Sequence, residues 1–238
     1  MAEPHPRLRK FAEWVRRRRP DAEASRGGEV DVEMRAIASS NFFDPSFYLI
    51  EGPDVQQANL DPIFHFCVYG WREGRRPNLY FDPLWYRDRY LGGPRSQLNP
   101  LAHYIGVGES AGCRPICFFD PLWYKTAYAL AYSESALRHY LAHRRSQRFA
   151  PNAHFDLEFY LARYGAEIGP NRDPFAHLLR CGADRDLDPS PTFDSAAYRR
   201  VLGPNPLAPS SSAASERNIP FIRYLEILAG APSEYPPL

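Results

Sequence analysis

The sequence predicts an all-α fold, a solenoid-like array of helical hairpins with about five units of 36–38 residues. Internal recurrence, the signature of repeat architectures, is the first observation behind it. A Phe-Asp pair returns as Phe43-Asp44, Phe81-Asp82, Phe119-Asp120, Phe155-Asp156 and Phe193-Asp194, at spacings of 38, 38, 36 and 38. A tyrosine follows four residues after every aspartate. An independent marker keeps the same period: His65, His103, His139 and His177 recur at 38, 36 and 38, with Arg223 in that place in the last unit. The third observation is negative. Proline and glycine (24 and 15 of 238 residues) interrupt the chain so often that no alternating β-branched run survives to make a strand.

In chain order, residues 1–28 read as a basic amphipathic segment and linker. Residues 7–19 form a helix with Leu8, Phe11, Trp14 and Val15 on one side and the run Arg16, Arg17, Arg18, Arg19 at its end; 20–28 is a flexible tether. Residues 29–41 place Val30, Met34 and Ile37 on one face, a capping helix over the open side of the first unit. Residues 42–230 hold the five units, and 231–238 are a Pro-rich tail.

Each unit is two short helices of about nine to ten residues. In Phe-Asp-Pro-x-x-Tyr the aspartate is an N-cap whose carboxylate accepts from free first-turn amides. Pro45, Pro83 and Pro121 follow at the first helical position, where a missing N–H costs nothing. The phenylalanine before the cap and the tyrosine inside it form a hydrophobic staple. The second helix repeats the device with Asp61-Pro62, Asn99-Pro100, Ser135-Ala136 and Asp173-Pro174, stapled by Leu60–Phe66 or Leu98–Tyr104. Gly70, Gly108 and Gly182 are expected to end these helices in the left-handed conformation, while the third unit has Arg144 there. Helices this short are marginal alone, so stacked aromatic faces must stabilise them. Pro204 to Arg217 is an inserted surface loop in the last unit.

Composition narrows function. The chain is 44% hydrophobic and 14% aromatic with a formal net charge of +1, which excludes wholesale disorder. Residues 1–20 carry net +5, leaving the remainder at −4, so the body lacks the basic face that nucleic-acid binding needs. The arginine tract has no apolar stretch behind it and is read as neither a secretory nor a twin-arginine signal. The expected location is the cytoplasm, with peripheral attachment at the inner membrane. Cys67, Cys113, Cys117 and Cys181 are too sparse for a disulfide scaffold. Cys113 and Cys117 stand close together without a second ligand pair, and read as packing residues in a turn rather than a zinc site.

Unit one resembles a known tandem repeat. Ile37-Ala-Ser-Ser-Asn-Phe-Phe-Asp-Pro-Ser-Phe-Tyr-Leu49, Gly-Pro-Asp-Val55, Asp61-Pro-Ile-Phe-His-Phe66 and Gly70-Trp-Arg-Glu-Gly-Arg-Arg-Pro77 are similar to a repeat of bacterial surface-polysaccharide proteins. That repeat reads Phe-Asp-x-x-Tyr-Tyr-Leu, Pro-Asp-Val, Asp-Pro-Leu-x-His-Tyr and Gly-x-x-Glu-Gly-Arg-x-Pro. The resemblance covers residues 30–230, sharp in unit one, good in unit two and decayed afterwards. It accompanies glycosyltransferases, including those of rhamnan-type synthesis, and occurs in some large secreted calcium-binding proteins. It implies a polysaccharide-assembly setting and no catalytic role, since the repeats consume nearly the whole chain.

The expected function is a non-catalytic scaffold with a protein partner, a glycosyltransferase by the resemblance; the alternative is a carbohydrate-binding module for polysaccharide using exposed aromatics. A glycosyltransferase-type enzyme ranks last. Asp44, Asp82, Asp120, Asp156 and Asp194 are read as structural caps. His65, His103, His139 and His177 are read as rings reaching back to the cap backbone, as Glu does in a capping box. Asp184-Arg185-Asp186 matches the Asp-x-Asp string with which many glycosyltransferases hold a metal–nucleotide, but no strand precedes it. Trp85 and Trp123 sit beside the staple tyrosine and read as core. Trp71, with Arg72 and Arg75, is the candidate for exposed glycan or partner contact. Leu8, Phe11, Trp14, Val15 and the four arginines suit an anionic membrane surface, each basic group adding about 1 kcal/mol, or a partner protein. No catalytic residue, metal or cofactor is expected.

Overall fold

A computed structural model describes residues 20–202, 216 and 218–230, with backbone alone for 20–27, 29 and 202. Every regular element among the described residues is helical, and the chain divides into two compact units, Met1–Gly106 and Val107–Leu238.

The first unit opens with α1 (Pro20–Ser40). The stretch 20–28, expected to be a tether, is therefore helical. Pro20 supplies a preset φ at the first position, and Ala22 and Ala24 favour helix strongly enough to carry it through Gly27 and Gly28. Ile37 is fully buried, with Val30 and Met34 half-buried. α1 packs on the later helices α4 (Pro62–His65) and α6 (Pro100–His103), and Glu33 accepts from Asn99 Nδ2 at 2.9 Å. Between them run α2 (Pro45–Glu51), α3 (Pro53–Gln57) and α5 (Pro83–Tyr90).

Each second helix here changes character halfway. α4 passes into a π turn at Phe66–Gly70, and α6 into another at Tyr104–Gly108, where the division between the units falls. Gly70 and Gly108 thus lie inside widened helix and do not stop it. Gly182 does not stop its helix in the left-handed way either, with φ −72°. Gly70 is glycine because a Cβ there would run into the Tyr48 hydroxyl. The left-handed turn comes four residues later, at Gly74 (φ 77°).

The second unit contains α7 (Pro121–Ala127), α8 (Ala136–His143), α9 (Leu157–Ile168), α10 (Pro174–Cys181), α11 (Ser195–Leu202) and α12 (Pro220–Gly230). After α8 the chain tightens into a 3-10 turn, Arg144–Ser146, and exits through left-handed Gln147 (φ 61°).

Caps fall where the sequence places them. Asp44 accepts from Phe47 N, Asp82 from Leu84 N and Trp85 N, Asp120 from Leu122 N and Trp123 N, Asp156 from Phe159 N, and Asp194 from Ala197 N. Asp61, Asn99, Ser135 and Asp173 cap the second helices likewise. The staple rings meet in all five pairs: Phe43–Tyr48, Phe81–Tyr86, Phe119–Tyr124, Phe155–Tyr160 and Phe193–Tyr198, with centroids 4.8–5.5 Å apart. The second staple does not form as expected. Leu98 is exposed, whereas Tyr104 is buried edge-on against Phe81 and Tyr86, as Phe66 is against Phe43 and Tyr48. An aromatic ring gains more from an existing ring pair than from one solvent-facing leucine.

Candidate functional site

Four times, the fold places a tyrosine of one helix against a histidine of the next. Tyr48–His65, Tyr86–His103, Tyr124–His139 and Tyr160–His177 each join hydroxyl to Nδ1 at 2.8–2.9 Å. The tyrosines are fully buried, and His65 and His177 nearly so. This corrects the capping-box expectation. Each histidine is the fourth residue after its cap, and its Nδ1 takes the staple tyrosine's hydroxyl instead. Burial pushes Tyr48, Tyr124 and Tyr160 above the ordinary phenol value and pulls His65, His103 and His139 below the ordinary imidazole value. In the Tyr48–His65 and Tyr124–His139 pairs, where both groups are so shifted, the bond joins two uncharged rings at neutral pH. Each such bond ties the first helix of a pair to the second.

The loop after α4 is internally tied as well. Trp71, expected to be exposed, is 1% exposed, and its indole Nε1 donates to Cys67 O at 3.2 Å. The π turn carries the helical ladder past Gly70, with Trp71 N donating to Phe66 O, so the ring stays over the core instead of swinging out. Arg72 lies 4.0 Å above the Trp71 ring, and its guanidinium donates to Val68 O. Arg75 forks onto Asp54 at 2.6 and 2.8 Å and donates to Glu73 at 2.7 Å. That pairing holds the Asp54 carboxyl below its usual range.

Three ties had no counterpart in the sequence reading. Asp44, Asp120 and Asp156 donate their backbone N–H to Pro77, Pro151 and Pro189 carbonyls at 2.9–3.1 Å, tying three of the caps to prolines far along the chain. Asn78 and Asn152, which follow two of those prolines, donate to Phe42 O and Phe118 O. Arg76 bridges to Asp82 at 3.1 Å and Arg114 to Asp120 at 2.5 Å, joining one turn to the next cap. The Pro-Asn pair and the arginine six residues before the aspartate were readable as recurrences.

Of the Asp-x-Asp string, Asp184 is exposed and Asp186 pairs with Arg199 Nε at 2.5 Å. Cys113 is half-buried, Cys117 buried, and neither is in a disulfide. Trp85 and Trp123 are half-buried against Tyr90 and Tyr128. The basic helix with Leu8, Phe11, Trp14, Val15 and Arg16 to Arg19 lies outside the described residues, as do 231–238 and most of the 204–217 insertion. Among the described residues no helix is long and apolar enough to cross a membrane.

Two surface features of the second unit remain. An open groove of about 450 Å³ is lined by Glu109, Ser110, Leu122, Lys125, Thr126, Ala129, Leu130 and Tyr132. Its walls are pinned by Tyr132 Oη donating to Ser110 O, Lys125 Nζ to Tyr132 O and Leu137 N to Glu109 Oε1, at 2.8–3.1 Å. Separately, Glu167, His177 and Cys181 bring a carboxylate, an imidazole and a thiol within 4.8 Å of one another, a donor set able to hold a metal ion. No family model matches the chain, and no similar curated protein or solved structure was found for it.

Proposed function

We propose that this chain is a non-catalytic helical-repeat scaffold that binds a protein partner, of the kind that serves bacterial surface-polysaccharide assembly. The observation that carries the reading is the fate of its recurrent polar residues. The aspartates cap helices, the histidines pair with buried tyrosines, and Arg75, Arg76 and Arg114 tie turns to caps. Catalysis needs polar groups converging on one pocket, and these are spent one unit at a time on holding hairpins. The recurrence of the same cap and ring pair five times, and of the Tyr–His bond four times, supports an array of five like units.

What such a molecule offers outward is its surface. Ile50, Phe64 and Leu98 in the first unit and Leu122, Tyr132, Ile227 and Leu228 in the second are exposed apolar side chains available to a partner. The resemblance to polysaccharide-associated repeats supplies the partner class, a glycosyltransferase or related assembly component. A carbohydrate-binding reading draws support from the groove, where the exposed Tyr132 ring stands beside Glu109, Ser110, Lys125 and Thr126, an aromatic face with hydrogen-bonding groups around it.

Affinity capture of the whole chain from its native host, with and without Phe64→Asp and Leu122→Asp, separates the two. A stoichiometric glycosyltransferase-class protein lost in those variants supports scaffolding. Retention on native polysaccharide, abolished by Tyr132→Ala, would replace it with glycan binding.

A further inference from the structure

We propose that Glu167, His177 and Cys181 form a three-ligand site for a zinc-class divalent cation. The inference is independent of the scaffold reading. It begins with one helical face: His177 and Cys181 stand four residues apart on α10, one turn above one another. Glu167 comes from the last turn of α9, which packs against α10. The Tyr160–His177 bond sets the register of the two helices, and so brings the carboxylate to the imidazole.

The imidazole supplies the second observation. His177 is only 8% exposed, and its Nδ1 is committed to Tyr160. Its Nε2 is shut off from solvent and makes no aligned hydrogen bond, although Glu167 Oε1 lies 3.2 Å away. A buried ring nitrogen with no aligned partner, aimed at a carboxylate and one turn from a thiol, is in the situation a metal resolves. Ligating histidines characteristically hand their other ring nitrogen to a fixed polar partner, and Tyr160 occupies that place. Burial keeps the Tyr160 hydroxyl protonated.

The donors fit the ion class. Imidazole nitrogen, thiolate and carboxylate are the ligands zinc selects, and three of them leave one tetrahedral position open. Bond lengths of about 2.0–2.3 Å put tetrahedral ligand atoms roughly 3.3–3.6 Å apart. The His–Glu distance is already close to that, and rotation about the exposed-side Cys181 and Glu167 torsions closes the rest. Arg185 contacts both carboxylate oxygens, so a cation on Oε1 shifts that fork onto Oε2. Binding takes Cys181 as thiolate, with its proton released to solvent. The other Tyr–His pairs lack the set, since Tyr69, Val107 and His143 stand where Cys181 does.

Cobalt(II) titration of the whole chain, back-titrated with zinc, tests this. The expected result is one equivalent bound, with a near-ultraviolet thiolate-to-cobalt band that zinc abolishes. Cys181→Ser removes the band, and Cys113→Ser and Cys117→Ser leave it intact. Tyr160→Phe keeps the ring that packs the core and weakens binding about ten- to a hundred-fold; circular dichroism on each variant separates lost ligands from lost fold. A band absent from the folded parent, surviving Cys181→Ser, or lost with Cys113 or Cys117 would overturn the site.

Discussion

The Tyr48 hydroxyl sits between two residues that could each be judged alone and wrongly. His65 accepts or donates at its Nδ1, and Gly70 leaves the space the hydroxyl occupies. Gly70→Ala forces a methyl into that space, and overpacking of a tight core costs about 1–3 kcal/mol. Tyr48→Phe leaves a buried imidazole nitrogen without its partner, at about 1–3 kcal/mol. Because both changes act on one hydroxyl, the double variant is expected to lose clearly less than the two losses combined. Urea unfolding of the four proteins checks it, and strict additivity would show that Gly70 is glycine for another reason. The tyrosine and the histidine were legible in the sequence as two periodic markers. Their pairing was not, because a spacing of 17 residues carries no information about whether two helices face each other.

At the scale of the element, the N-cap decides where a short helix begins, since helices of seven or eight residues leave a large share of their amides unpaired. Losing such a cap costs about 0.5–2 kcal/mol. Asp120 carries a second bond, to Arg114 of the preceding turn, on a half-buried surface. Asp120→Ala is therefore expected to destabilise more than Asp156→Ala, whose side chain serves as a cap on an exposed face. Equal losses in thermal unfolding would mean that the Arg114 bridge contributes nothing measurable, as many surface pairs do not. Caps, prolines and staples are local, which is why they could be read from the chain. The π turns at Phe66–Gly70 and Tyr104–Gly108 could not, because a widened turn is a response to packing and has no propensity signature. The first of them is why Trp71, which the local pattern places outside, packs inward.

For the whole molecule, the repeated neutral pairs set a pH window. His65, His103 and His139 titrate lower when folded than the ordinary 6.5. Above that value folded and unfolded rings are both neutral; below it the unfolded chain takes up protons first, so stability falls. Tyr48, Tyr124 and Tyr160 titrate higher than the ordinary 10.0, so above that pH the unfolded chain releases protons first and stability falls again. Burial likewise pushes the Cys67 thiol up from 9.0 to about 12, so it joins the alkaline limb first. The urea midpoint should be flat between about pH 6.5 and 9 and drop on either side. Replacing His65, His103 and His139 with asparagine should shallow the acid limb. An acid limb of undiminished slope in that variant would assign it to carboxylates instead. Asp54 and Glu167, whose carboxyls titrate below the ordinary range, add their own loss only at lower pH.

The all-helical class, the Asp-, Asn- and Ser-capped helix starts and the Phe–Tyr staples were determined by the sequence alone, because each depends on residues close together in the chain. Tertiary structure decided the rest: that histidine meets tyrosine, that Trp71 faces inward, and that Glu167, His177 and Cys181 converge. Those outcomes depend on how far one helix is rotated against another. That rotation is a packing compromise summed over many rings, and no short stretch of the chain encodes it.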